Sequence, residues 1–407
     1  MKINKCRVCE SKNLTKCLNL GNQYLTGVFP KNKNQKISTG NLSLVYCNKC
    51  TLLQLSENFN RFEMYGSNYG YMSSLNQSMV NHLKNKSEKI KKISKLSKND
   101  LIVDIGSNDG TFLSFFSNLC KTVGVDPTIK KFSKYYKKKT IIIPDFFSLN
   151  TLKKYSVYKK AKAITSIAMF YDLENPISFA QEVYEALDND GIWHFEQSYM
   201  PSMIKNISYD TICHEHLEYY SLKSLKYILD KSEFKIIDIE LNDINGGSFA
   251  ITVAKKKSKK FIESSLVDWL LKKEDLYKFN KLDTLFDFRN KVFKHKQLLK
   301  DLLLNLKDMK KKVGGYGAST KGNVILQFCD LNNNIIPYIV DVNPFKRNKL
   351  TPGTKIKIIN DIDFKKKKPD YLLVLPWHFK NHILQKENSF IKRGGHFIFP
   401  LPDIEIV

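Results

Sequence analysis

The sequence predicts an α/β chain: a central doubly wound, mostly parallel sheet, preceded by a small cysteine-paired module and followed by a second α/β unit. Three observations predict it. Residues 101–126 read as an apolar strand, a glycine-broken turn, a short helix and a second strand ending in Asp126. Strand-like and helix-like runs alternate after that stretch, and the alternation restarts at residue 311. Two C-x-x-C pairs stand ahead of it all, with 37 residues between them. Alternation favours a parallel sheet, because each strand must cross over through a helix before its parallel neighbour can form. At 407 residues the chain is long enough for two or three domains with buried cores.

Residues 1–65 form the first element. Cys6 and Cys9 make one pair, Cys47 and Cys50 the other. Each pair presents two thiolates from one turn, and two such turns complete a tetrahedral four-thiolate zinc site. Four thiolates leave no open coordination position, so the expected role is structural. Short strands such as NLSLVYC accompany the cysteines. Cys17, Cys120 and Cys329 stand alone and read as ordinary thiols.

Residues 66–255 come next. A polar, aromatic stretch, YGSNYGYMSS (65–74), leads into a helix through about residue 95. The strand LIVDIG then meets the turn that carries Asp104, Gly106, Asn108 and Gly110, an arrangement that suits a nucleotide-sized ligand in a Rossmann-type site. Asp126, about 20 residues past the turn, is placed to accept ribose hydroxyls. Dinucleotide sites favour G-x-G-x-x-G, and the middle position here is Asn108. A carboxylate at Asp104 suits a cation better than a pyrophosphate, and the amino-acid end of S-adenosylmethionine (SAM) is cationic. Asp145 and Phe146, at the end of TIIIPDFF, are assigned to the same cofactor. AITSIAM and GIWHFEQSY read as further strands, with the helix FAQEVYEAL between them. FKIIDIELNDINGGSFAITVAKK closes the sheet as two strands about Gly246 and Gly247.

The segment 210–225, DTICHEHLEYYSLKSL, concentrates His214, Glu215, His216, Glu218, Tyr219 and Tyr220. Its spacing matches neither H-E-x-x-H nor a helical zinc pair. A histidine beside a carboxylate suits proton transfer near neutral pH. Tyr71, together with Glu196, Gln197, Tyr199 and Asp172, should face the same pocket, because ligands of open α/β sheets bind beyond the carboxyl ends of the strands.

Residues 256–310, lysine-rich with apolar positions at helical spacing, read as a helical bridge. Residues 311–407 form a second Rossmann-like unit, with the turn GGYGAST between strand and helix. That turn could cradle a phosphate, with Lys321 as a point charge at the helix start and Tyr316 and Ser319 beside it.

The formal charge is +26, yet only five of the 66 basic residues are arginine. Nucleic-acid recognition leans on arginine forks, so the lysine surplus reads as solvated surface and no nucleic-acid partner is expected. No signal-like segment and no run of 18 apolar residues is apparent, so a soluble, cytoplasmic protein with no membrane partner is expected.

Four features together resemble one family. They are the paired C-x-x-C module, VDIGSNDG with VGVD, CHEHLEYYSL, and the turn GYGASTKGN. In this order they resemble the bacterial SAM-dependent sugar C-methyltransferases, which act on nucleotide-linked keto-deoxysugars. The resemblance implies an N-terminal zinc domain, a central SAM domain and a C-terminal Rossmann-like domain that helps to hold the nucleotide sugar. It also implies His216 as the base, with Glu215 and His214 beside it and Tyr71 as the pocket tyrosine. Tyr219, Glu196, Gln197, Tyr199 and the C-terminal turn are then expected on the substrate. Two positions depart from the family pattern: Asp172 stands in place of a second histidine, and Cys213 in place of a tyrosine before HEH. Methylation of oxygen or nitrogen is the alternative chemistry, since it shares the methyl-donor site. A nucleic-acid methyltransferase and a non-catalytic binding protein are the further alternatives.

Overall fold

The structure is a computed structural model describing residues 1–65 and 69–407, so positions 66–68 of the aromatic stretch lie outside the described residues. Three sheets organise it. The first is antiparallel: β1 (Leu14–Tyr24), β2 (Thr39–Cys47) and β3 (Leu53–Leu55). A module this small cannot bury much apolar surface alone. It shares a core instead, with Leu18, Leu20 and Leu44 in one apolar cluster with Phe288, Val292 and Leu299 of the helix Leu282–Asp308.

The central sheet contains β4 (Leu101–Ile105), β5 (Lys121–Val125), β6 (Ile141–Ile143), β7 (Ala161–Ile167) and β8 (Leu187–Ser198). The chain then leaves it for the two-residue strand β9 (Glu218–Tyr219), which pairs antiparallel with β3 as the fourth strand of the first sheet, and β10 (Phe234–Asn242) and β11 (Ser248–Lys255) complete the central sheet. The spatial order is β10-β11-β8-β7-β4-β5-β6. All neighbours from β8 to β6 are parallel, and β11 runs antiparallel between β10 and β8. The period of two sorts the faces. Leu101, Val103 and Ile105 pack with Trp193 and Phe195 against the helices Pro176–Ala186 and Leu222–Lys231. Ile102, Ala163 and Ile192 meet Met79, Leu83 and Ile90 of the helix Gln77–Ser94. Asn76 starts that helix by accepting from Ser78 N, and Lys95 ends it in the left-handed region.

The third sheet contains β12 (Val313–Tyr316), β13 (Tyr338–Val340), β14 (Lys357–Ile359), β15 (Tyr371–Val374), β16 (His396–Phe399) and β17 (Glu405–Ile406). Its order is β14-β13-β12-β15-β16-β17, parallel except for β17.

The structure sets the extent of two local elements. The helix after the glycine turn is a single turn, Thr111–Ser114. Ser114 Oγ donates to Thr111 O at 2.7 Å and Ser117 Oγ to Ser114 O at 3.0 Å, so hydroxyls compete for the carbonyls that a longer helix needs. The bridge is two helices, Leu266–Leu276 and Leu282–Asp308, broken at Lys278, whose φ is 56°. Among the described residues no helix is long and apolar enough to cross a membrane.

Candidate active site

A cavity of about 740 Å³ opens beyond the carboxyl ends of β4, β5 and β7. The strand order reverses between β4 and β7, the switch point at which crossover helices diverge and leave a crevice. All three structural units supply its walls: Arg61 and Tyr65 from the N-terminal module, the central turns, and Ser319, Lys321 and His378 from the C-terminal unit.

The turn after β4 forms one end. Gly106 and Asn108 line the cavity, whereas Gly110, the start of the short helix, does not. Gly106, Asn108 and Gly110 have φ of 77°, 51° and 75°, a region that glycine adopts freely and asparagine tolerates. Asp104 lines the cavity and accepts from Thr165 Oγ1 at 2.6 Å; burial pushes its carboxyl up to about 7. Asp126 accepts from the backbone N–H of Asn108 at 2.9 Å and of Thr128 at 2.6 Å, so the turn and the second strand are tied through one carboxylate. Asp145 and Phe146 also line the cavity. The Phe146 ring lies edge-on to Phe62, 5.5 Å between centroids, with the Arg61 guanidinium 4.3 Å from its centre.

The other end gathers around His216. Its Nδ1 lies 2.8 Å from Thr211 O, and a carbonyl can only accept, so Nδ1 carries the proton. Nε2 is thereby left as the basic nitrogen of the ring. The ring packs on Tyr171 at 4.2 Å, and Tyr219 Oη donates to His216 O at 3.0 Å. Burial, then the nearby Lys321 cation, holds the imidazole down at about 3, so it is neutral at physiological pH. Glu215 lines the cavity and accepts weakly from Thr26 Oγ1 at 3.4 Å. A Cβ at Gly27 would lie 2.4 Å from Glu215 Oε1, so glycine is what makes room for this carboxyl. Asp172 accepts from Tyr65 Oη at 2.6 Å, and burial drives its carboxyl well above the ordinary range. Tyr71, 46% exposed, stands on the cavity wall.

Other sequence-selected residues sit elsewhere. His214 turns away from the cavity: its Nε2 lies 3.4 Å from Gly40 O and its ring is edge-on to Phe59. Tyr199 donates to Glu274 at 2.7 Å and Tyr316 to Glu387 at 3.0 Å, both off the cavity wall. Gln197 is buried within the sheet. Tyr219 acts from behind, through the His216 carbonyl. Glu196 does line the cavity, but its charge is engaged by His82 at 2.6 Å and Lys86 at 3.0 Å. Burial raises that carboxyl, and the His82 hydrogen bond with the Lys86 charge outweighs it and holds it at about 2.

At the C-terminal wall, Ser319 caps the helix Thr320–Phe328, its Oγ accepting from Gly322 N at 2.9 Å. Lys321 is half-buried and donates to Asn245 O at 2.7 Å. His378, from the turn after β15, lines the cavity with its Nδ1 buried and unpartnered. It was not selected from the sequence, although its place just past a strand in WHF was the available signal. Tyr65, Arg61 and Tyr171 were missed because nothing local marks them; chain folding alone brings them to the cavity.

Away from the cavity the four cysteine sulfurs lie within 4.8 Å of one another. Cys6 and Cys50 Sγ are 3.5 Å apart, Cys9 and Cys47 Sγ 3.4 Å. A tetrahedral four-thiolate zinc with bonds of about 2.3 Å needs sulfurs roughly 3.8 Å apart, so this cluster fits the metal.

Comparison with known proteins follows the same three units. Residues 6–65 match a zinc binding domain family, 81–239 a methyltransferase domain family, and 243–402 the C-methyltransferase C-terminal domain. The C-methyltransferase NovU of Streptomyces niveus is 26% identical, covering 100% of this chain and 97% of its own. Among solved structures, the plantazolicin methyltransferase BpumL in complex with a desmethyl analogue and S-adenosylhomocysteine covers 46% of this chain and 88% of its own, at 15% identity and a TM-score of 0.36. The N-methyltransferase NodS of Bradyrhizobium japonicum covers 44% and 98%, at 8% identity and a TM-score of 0.32.

Proposed function

We propose that this chain, which belongs to the SAM-dependent C-methyltransferases with an N-terminal zinc-binding and a distinct C-terminal domain, methylates a carbon of a nucleotide-linked keto-deoxysugar through an enolate, with His216 as the base. One observation carries the reading. The Thr211 carbonyl fixes the His216 proton on Nδ1, which leaves Nε2 free on a cavity that also receives the Asp104–Asn108 turn.

SAM, when bound, supplies an electrophilic methyl group. The residues do the rest. Asp104 answers the cationic amino-acid end, Asp126 the ribose, and Phe146 presents an apolar face for the base. A ketone acidifies the neighbouring C–H, and Nε2 of His216 takes that proton while the electron pair moves onto the carbonyl oxygen. Donors aimed at that oxygen strengthen as its charge grows; Tyr71 stands on the wall for this, and Glu215 and Asp172, whose carboxyls burial shifts upward, can donate as well in their acid forms. Lys321 and the capped turn at Ser319 supply positive potential for the nucleotide phosphates.

The test is incubation with SAM and a panel of nucleoside-diphosphate 4-keto-6-deoxysugars, read by mass spectrometry. A product heavier by one methylene, about 14 Da, is expected. Deuterium wash-in at the carbon next to the ketone, without SAM, separates this reading from O- or N-methylation, which needs no enolate.

A further inference from the structure

The four-thiolate site leaves no open coordination position for chemistry, yet the residue carried inside its first knuckle reaches the segment that bears His216. Arg7 lies between Cys6 and Cys9, and its side chain is 3% exposed. Its Nη1 donates to Leu55 O at 2.6 Å and reaches Leu217 O at 3.5 Å. Its Nε lies 3.7 Å from Glu218, whose side chain is fully buried. The same place is stitched by backbone: Leu55 N donates to Leu217 O at 2.9 Å, and β9 pairs with β3 through Leu53 and Gln54. His216 therefore stands two residues ahead of a two-residue strand that the metal module holds, with only Leu217 between.

We infer that Arg7 is a positioning residue for methyl transfer: carried by the cysteine knuckle, it clamps Leu217 and Glu218 and so fixes where His216 points. The physical case rests on shortness. A strand of two residues has too few ladder bonds to hold itself, and neither buried carboxyl oxygen of Glu218 has a hydrogen-bond partner, so the Arg7 charge beside it opposes the upward push of burial. A guanidinium can serve the Leu55, Glu57 and Leu217 carbonyls and the Asn58 side chain together while its charge faces Glu218, because its five N–H groups form a rigid fork; an ammonium cannot. The metal module thus reaches the reaction through Arg7 as well as through stability. This rests on the reading of His216 as base, but its first test does not.

The full-length zinc-loaded protein is compared with Arg7→Met, Arg7→Lys and Glu218→Gln. Amide hydrogen exchange across 213–220 needs no substrate. It is expected to quicken roughly tenfold in Arg7→Met, less in Arg7→Lys, with exchange at 44–53 and zinc content unchanged. Unchanged exchange at 213–220 in a variant that keeps its zinc overturns the inference. If Arg7→Met loses zinc, Arg7→Lys and Glu218→Gln decide on the same peptide. The second readout is deuterium wash-in to dTDP-4-keto-6-deoxyglucose: a fall in rate of about 10- to 100-fold in Arg7→Met, with KM within about twofold, is expected of a misplaced base. A wild-type protein that washes in no deuterium sinks the enolate reading and leaves the exchange result standing.

Discussion

Asn108 holds Tyr71 by its backbone: Asn108 Nδ2 donates to Tyr71 O at 3.1 Å, while its Oδ1 accepts from Ser73 N at 3.1 Å. The residue that replaces the middle glycine of a dinucleotide turn is thus a strap between the turn after β4 and the tyrosine segment. With φ of 51° it keeps the backbone that glycine would have allowed.

Asn108→Gly should preserve the turn and release the strap. Loss of two side-chain hydrogen bonds costs about 1 kcal/mol each. Since these bonds hold Tyr71 rather than the turn, we expect turnover to fall roughly tenfold with SAM affinity within about threefold. Calorimetric titration with S-adenosylhomocysteine beside a steady-state assay checks it; equal turnover in the variant would remove the strap from the argument.

His216→Asn should abolish methyl transfer and spare SAM binding. Positioned general bases contribute about 10²- to 10⁴-fold, and asparagine cannot take the proton. Turnover near the wild-type rate would exclude His216 as the base.

Binding of SAM should weaken with acid around Asp104. Burial raises this carboxyl to about 7, so it is half protonated near neutrality, and a cationic ligand needs the ionised form. Affinity should drop up to about tenfold per pH unit below 7 and level off above it, and Asp104→Asn should flatten the profile. The sign for stability is the reverse. A folded pKa above the unfolded value of 3.8 gives stability that is complete below that value and lost as pH rises through about 7. Asp104→Asn should therefore raise the melting temperature relative to wild type at pH 8 and leave it level at pH 3.5.

One zinc per chain is expected by elemental analysis, bound through Cys6, Cys9, Cys47 and Cys50. Cys47→Ser should release the metal and lower the melting temperature of the whole chain. The first sheet shares its apolar cluster with the helix Leu282–Asp308 and the C-terminal unit, so its loss cannot stay local. A metal-free protein that keeps its melting temperature would contradict the structural role.

Legibility differed by the range of the physics. The Asp104–Gly110 turn and the two C-x-x-C pairs could be read because their residues are close in sequence, and the backbone angles or thiolate spacing follow from local chemistry. HEH was legible as a cluster but not in its direction: His214 faces Phe59 and His216 the cavity, because the segment is a turn leading into a strand and not a helix. The tyrosine of GGYGAST, Tyr316, looked like a phosphate neighbour and instead bonds Glu387, since its side chain leaves the strand away from the turn's mouth.

By itself the sequence determined the alternating α/β order, the four-cysteine cluster, and a glycine turn after a strand with a carboxylate at its entrance. These are local patterns of period, glycine placement and donor type. Only the tertiary structure decided which imidazole nitrogen is basic, because that depends on the Thr211 carbonyl lying 2.8 Å from Nδ1. It also brought Tyr65, Lys321 and His378 to one cavity from chain positions far apart. The reason is physical: burial and hydrogen-bond partners are set by packing between distant segments, and no local spacing encodes them.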